Sequence, residues 1–172
     1  EFKILGVIMS SDLTWSRHIE YILARANKRI FAICQLVRCG FGHNDIVTIY
    51  CLLIRPVLEY ASQVGHPGLI KTQSDEIERV QRRCLHIIYP QLSYSDARAV
   101  SGLQLLSVRR ENAVIKLFNE IKNPSHVLHY RLPMKPSRNG SVTRDKYPFE
   151  LKCGKTSRRT HSMIYYCIGK RV

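Results

Sequence analysis

Trp15-Ser16-Arg17-His18-Ile19-Glu20-Tyr21-Ile22-Leu23-Ala24-Arg25-Ala26-Asn27-Lys28-Arg29-Ile30 opens the stretch that decides the fold. Ile19, Ile22, Leu23, Ala26, Ile30, Ile33 and Val37 recur at three- and four-residue spacing, the stripe of a helix with one buried face. The pattern predicts a helix from about Trp15 to Arg38, ended by Gly40 and Gly42. Arg17, Arg25, Lys28 and Arg29 lie off the stripe, on the side left to solvent.

The same reading extends in both directions. Before the helix, Phe2 to Met9 reads as one apolar strand, closed by Ser10-Ser11-Asp12 as a turn. A strand that begins at residue 1 needs sheet partners, and few other strands are on offer. The chain is therefore expected to be a fragment. After the helix, Asn44 can cap a second helix to about Tyr60, with Ile46, Ile49, Leu53 and Val57 apolar. Pro56 should kink it and free a carbonyl one turn back. Ser62 to Gly68 reads as a loop. Thr72 to Asp75 resembles a capping box for a third helix to about Ile88, burying Ile77, Val80, Cys84, Leu85 and Ile88. Ser93 caps a short helix closed by Gly102, and Ser107 a fifth to about Ile121, with Val108, Val114, Leu117, Phe118 and Ile121 inward.

After Asn123-Pro124 the periodicity stops, and proline, glycine, serine and basic residues dominate through Thr160. Ser162 to Ile168 is apolar enough to dock back on the helices. The expectation is a mainly α protein: about five helices, one N-terminal strand and a basic, loop-rich C-terminal segment. Residues 1–9, 10–123 and 124–172 are the natural divisions.

Charge narrows the partner. The 172 residues carry a net charge of +14. Residues 1–123 hold 16 Lys/Arg against 11 Asp/Glu, and residues 124–172 hold 11 against 2. That excess points to a polyanion, nucleic acid before an anionic membrane surface. No apolar run nears the ~18 residues of a membrane span, and no secretory leader is recognisable. An intracellular chain, cytoplasmic or nuclear and without a membrane partner, is expected.

Six cysteines, at 34, 39, 51, 84, 153 and 167, form no Cys-x-x-Cys pair. They read as free thiols in a reducing compartment. Cys34 and Cys39 are spaced too widely for half of a zinc site, and His126 and His129 have no cysteine nearby. His18 and His66 lack a nucleophile in a supporting motif. Trp15 reads as a core anchor, and Arg79, Arg82 and Arg83 form a second basic cluster that Glu76 and Glu78 partly neutralise. The basic tail, with Tyr147, Phe149, Tyr165 and Tyr166 interleaved, has the make-up of a single-strand binder.

Longer motifs sharpen this. Lys3-Ile4-Leu5-Gly6-Val7, Leu13-Thr14-Trp15-Ser16-Arg17-His18-Ile19 and Ala26-Asn27-Lys28-Arg29 occur in order. Ile54-Arg55-Pro56-Val57-Leu58-Glu59-Tyr60-Ala61-Ser62, His66-Pro67-Gly68-Leu69 and Ile77-Glu78-Arg79-Val80-Gln81-Arg82-Arg83 follow. The Arg109-Arg110-Glu111 helix and Arg158-Arg159-Thr160-His161-Ser162 continue the match more weakly. Together they resemble the region after the catalytic motifs in non-LTR (LINE-type, jockey-like) retrotransposon reverse transcriptases. Gly65, where that family usually has tryptophan, and Ile4, where it has an aromatic, depart from the pattern.

The resemblance implies a primer-grip strand at Lys3, Leu5 and Gly6, a helical thumb from Trp15 onward, and a C-terminal extension. It implies contacts to an RNA/DNA primer–template backbone by Arg17, Lys28, Arg29, Arg79, Arg82, Arg83, Arg158 and Arg159. The family's "F-A-D-D" hairpin, which holds two Mg ions, would lie before residue 1 with the palm and fingers. This chain has no Asp-Asp pair and Asp75-Glu76 is its one adjacent acidic pair, so no catalytic residue and no cofactor are assigned to it. The implied function is a part of an RNA-directed DNA polymerase that binds primer–template and is inactive alone. A stand-alone nucleic-acid-binding or protein-interaction module derived from such an element is the alternative.

Overall fold

The computed structural model describes residues 1–11, 14–134, 148–149 and 162–171. The described chain is mainly helical, with one two-stranded antiparallel sheet at its N-terminus. The expected single strand is a hairpin: β1 (Phe2–Ile4) pairs with β2 (Val7–Met9) in the register Phe2↔Met9, Lys3↔Ile8, Ile4↔Val7. Leu5 and Gly6 form its two-residue turn, at φ 46° and 83°, the doubly left-handed form that matches strand twist. The strand's partner is thus its own second half, which removes the argument that it must pair with a sheet elsewhere.

Helix α1 (Ser16–Arg38) follows, and its stripe buries as its spacing dictates: Ile19, Ile22, Ala26, Ile30 and Ile33. Val37, at the far end, stays exposed. The second expected helix is two, α2 (His43–Leu53) and α3 (Arg55–Glu59). Pro56 lacks an amide and sits in the first turn of α3, where none is needed, so it restarts the chain instead of kinking one helix. The buried face is Ile46, Val47, Tyr50, Ile54 and Leu58, and the expected Leu53 points outward.

Residues expected as a loop form α4 (Ser62–Gly65) and a 3-10 turn (His66–Gly68). Helix α5 (Lys71–Ile88) begins four residues earlier than the Thr72 capping box required. Its first turn is closed by the Gln73 side chain, which accepts from the Ile70 amide at 3.2 Å. Helix α6 (Tyr94–Ser101) starts at Ser93, whose Oγ accepts from the Asp96 amide, and ends at Gly102 with φ 67°. Helix α7 (Leu106–Ile121) is not capped by Ser107: a Glu78 oxygen from α5 accepts its Leu106 amide at 2.9 Å. Helix α8 (Met163–Gly169) docks on α7, as Ser162 to Ile168 led us to expect.

Two apolar cores result. The larger is built on α1 against α5, with α2, α3 and α6 around it. The smaller joins Val114, Phe118 and Ile121 of α7 to Leu132, Phe149, Cys167 and Ile168. Trp15 is half-buried against the larger core, as a core anchor should be. Gly68 makes this possible: a Cβ there would lie 2.6 Å from Trp15 Nε1, whereas one at Gly65 would meet the ring at an ordinary 3.6 Å. Gly68→Ala is therefore expected to lower stability by about 1–3 kcal/mol in a thermal melt, with Gly65→Ala the milder change.

Candidate nucleic-acid interface

Helical spacing places Tyr21, Arg25 and Lys28 along one exposed side of α1, and the hairpin brings Lys3 across to them. The Lys3 Nζ donates to the Tyr21 hydroxyl at 3.1 Å and lies 4.7 Å from its ring centroid. Arg25 Nη1 donates to the same oxygen at 3.3 Å. Two cations therefore meet on one phenol oxygen, and among the described residues no carboxylate is in contact with either. The Lys3 ammonium holds the Tyr21 phenol below its ordinary range, with Arg25 adding to the effect. Beside them Gly6, Tyr21, Arg25, Pro56 and Tyr60 line a cleft of about 370 Å3.

The remaining expected contacts separate. Arg17 is paired with Glu1 at 3.1 Å and Glu20 at 3.2 Å, so its charge is already answered. Arg29 is half-buried and donates to the Leu53 carbonyl, which the break at Pro56 leaves without a helical partner. It closes the end of α2 and is not a free phosphate contact. Lys28 remains exposed. Leu5 is 85% exposed, but the close approach that Gly6 permits is taken by Tyr60, whose hydroxyl donates to the Leu5 carbonyl. Arg79, Arg82 and Arg83 are exposed on α5. Glu78 forms no ion pair with them among the described residues; its carboxylate accepts from the Tyr94 hydroxyl and from the Leu106 amide. Arg158 and Arg159, with Tyr147, lie outside the described residues.

Sequence reasoning missed Tyr21 as the point on which Lys3 and Arg25 converge. The i, i+4 spacing of Tyr21 and Arg25 was visible, but the hairpin that carries Lys3 back to them was not. No family model, curated protein or solved structure matches the chain.

Among the described residues, no three of His, Cys, Asp and Glu come together to hold a metal. Cys34, Cys39, Cys51, Cys84 and Cys167 are free thiols, and burial pushes the Cys84 thiol up to about 12. Among the described residues, no helix is long and apolar enough to cross a membrane.

His18 and His66 both pack into the fold. His18 is buried, and its Nδ1 accepts from the Ile8 amide at 3.4 Å. His66 packs edge-on to Tyr166 with Arg110, Glu111 and Lys170 around it. Burial lowers both imidazoles below their ordinary pKa, and Arg110 adds to the effect at His66. The unfolded chain then binds more protons than the folded one. The stabilisation is present above about pH 6.5 and is lost as pH falls through the folded values. The melting temperature is expected to drop between pH 7.5 and 5. A flat profile would rule this out.

Proposed function

We propose that the chain binds the sugar–phosphate backbone of a nucleic acid through the exposed side of α1 and the adjoining hairpin strand. In this reading it is a thumb-like part of a retroelement reverse transcriptase. Its partners are the RNA/DNA primer–template and the palm and fingers of a parent polymerase, inside the cell. It contributes position and electrostatic holding, and by itself performs no polymerisation. The observation that carries the reading is the convergence of Lys3 and Arg25 on Tyr21 with no carboxylate in contact among the described residues. Such a pair attracts an oxyanion, and Lys28, one turn further on, continues the row in the way that a phosphate backbone requires.

The test is binding of the purified chain to a labelled RNA–DNA primer–template over a salt series. Lys3→Gln, Arg25→Gln and Lys28→Gln together are expected to reduce the slope of log affinity against log salt by about 2, near 0.7–0.9 per lost phosphate contact. Arg17→Gln, whose charge is already paired, should leave the slope unchanged. An unaltered slope in the triple variant would sink the proposal.

A second reading is favoured by one observation. Ala32, Leu36, Ile49, Leu52 and Leu53 line an apolar groove of about 490 Å3 between α1 and α2, with Leu52 69% exposed. A derived protein-interaction module would use it, and partner binding insensitive to salt would carry that reading instead.

A further inference from the structure

Tyr94 sits at the start of α6 with its hydroxyl fixed on both sides. It donates to a Glu78 oxygen and accepts from Gln81 Nε2 at 3.0 Å. The ring cannot swing away without breaking both bonds. Two guanidinium groups from different helices rest on it: Arg82 of α5 at 5.0 Å from the ring centroid, and Arg98 of α6 at 5.2 Å. The nearest acids hold neutral donors: Glu78 takes the Tyr94 hydroxyl as well as the Leu106 amide, and Asp96 accepts from the Ser93 hydroxyl. Among the described residues neither arginine has a carboxylate within ion-pair distance, and the Arg98 Nε is buried without a partner. Arg79 and Arg83 lie exposed on the same helix as Arg82.

We propose that Arg82 and Arg98, held on Tyr94, form a second oxyanion site that takes a phosphate of a nucleic-acid backbone, separate from the α1 face. The inference takes its ligand class from the nucleic-acid reading but rests on different residues. An arginine already resting on an aromatic ring loses less freedom when it binds, and its planar fork matches two oxygens of a phosphate. Among the described residues Glu78 makes no ion pair with Arg82 or Arg98, so it does not occupy their guanidinium donors. The arrangement resembles the one at Tyr21 in setting two cations on one tyrosine, with the difference that the Tyr94 hydroxyl also holds the Glu78 carboxylate. Two such sites on a chain of net charge +14 favour a continuous polyanion over an isolated carboxylate.

The experiment uses the full chain and the labelled RNA–DNA primer–template, with Arg82→Gln and Arg98→Gln combined. Affinity at 0.1 M salt is expected to fall about tenfold, and the salt slope by about 1.4, in both the unaltered chain and the α1 triple variant. Arg82→Lys with Arg98→Lys should restore the slope, because charge returns even where the fit to the ring is poorer. Circular dichroism of each variant separates lost binding from lost folding. If the α1 variant loses slope while the Arg82/Arg98 variant does not, this inference falls and the α1 reading stands. The reverse result sinks the α1 reading alone. Poly-glutamate of matched length, binding as tightly and weakened as much by the same substitutions, would overturn the phosphate assignment in favour of an acidic protein surface.

Discussion

Gln81→Leu is expected to lower the unfolding free energy by about 3 kcal/mol. Gln81 is 0% exposed, in the middle of α5. Its Oε1 accepts from the buried Tyr50 hydroxyl at 2.8 Å. Its Nε2 donates to the Tyr94 hydroxyl and the Gln104 carbonyl, both at 3.0 Å. One amide thus satisfies groups from α2, α6 and the approach to α7, so leucine strands several of them away from water. Chemical denaturation measures the loss. Adding Tyr50→Phe should recover part of it, because both partners of one bond are then apolar. A loss below ~1 kcal/mol would mean that the stranded groups find other partners.

Arg110→Met is expected to act in the opposite direction, raising stability by about 1–3 kcal/mol. Arg110 is 2% exposed, and Nη2 donates to the Ser74 hydroxyl at 2.8 Å while Nε and Nη1 have no partner. Burial lowers its pKa, against the fields of Glu78 and Glu59, neither of which touches it. Such a charge costs more to desolvate than one hydroxyl returns. Methionine keeps much of the length and removes the charge. The variant should also raise the His66 pKa, since Arg110 opposes protonation there. An NMR titration of His66 reads that effect independently of stability. Destabilisation beyond ~1 kcal/mol would show that the surrounding carboxylates answer the charge at a distance.

The helical body was legible because apolar spacing is a local property. Ile19 to Ile33 and Ile77 to Ile88 bury as their periodicity requires, and Ser93 and Gly102 bound α6 as their side chains dictate. What escaped depends on groups far apart in the chain. The hairpin was missed because Leu5-Gly6 lacks the usual Asn-Gly or Asp-Gly signal, and leucine at positive φ is uncommon. Here Tyr60, 55 residues on, bonds to that turn. Arg29 counted as a phosphate contact because nothing nearby showed that the break at Pro56 would leave the Leu53 carbonyl open to it. That Glu78 also bonds α6 and α7 could not be read from its helical neighbours, because Tyr94 and Leu106 lie 16 and 28 residues away. Arg110 joined a charged run, and only packing showed that it points inward.

The bond from Glu78 to the Leu106 amide has a consequence for how the molecule comes apart. Helix α7 brings no side-chain cap of its own, so its first turn depends on a carboxylate 28 residues upstream. Leu106 lies in the larger core, and Val114 and Phe118 lie in the smaller. The smaller core cannot melt from its α7 side without loosening the helix that also closes the larger one. Arg109, held to Glu59 at 2.6 Å and 3.1 Å, ties the same helix to α3. Calorimetry should therefore show one cooperative transition for the ordered helices. A peptide cut to residues 102–123 would lose its helix, because what starts that helix belongs to α5.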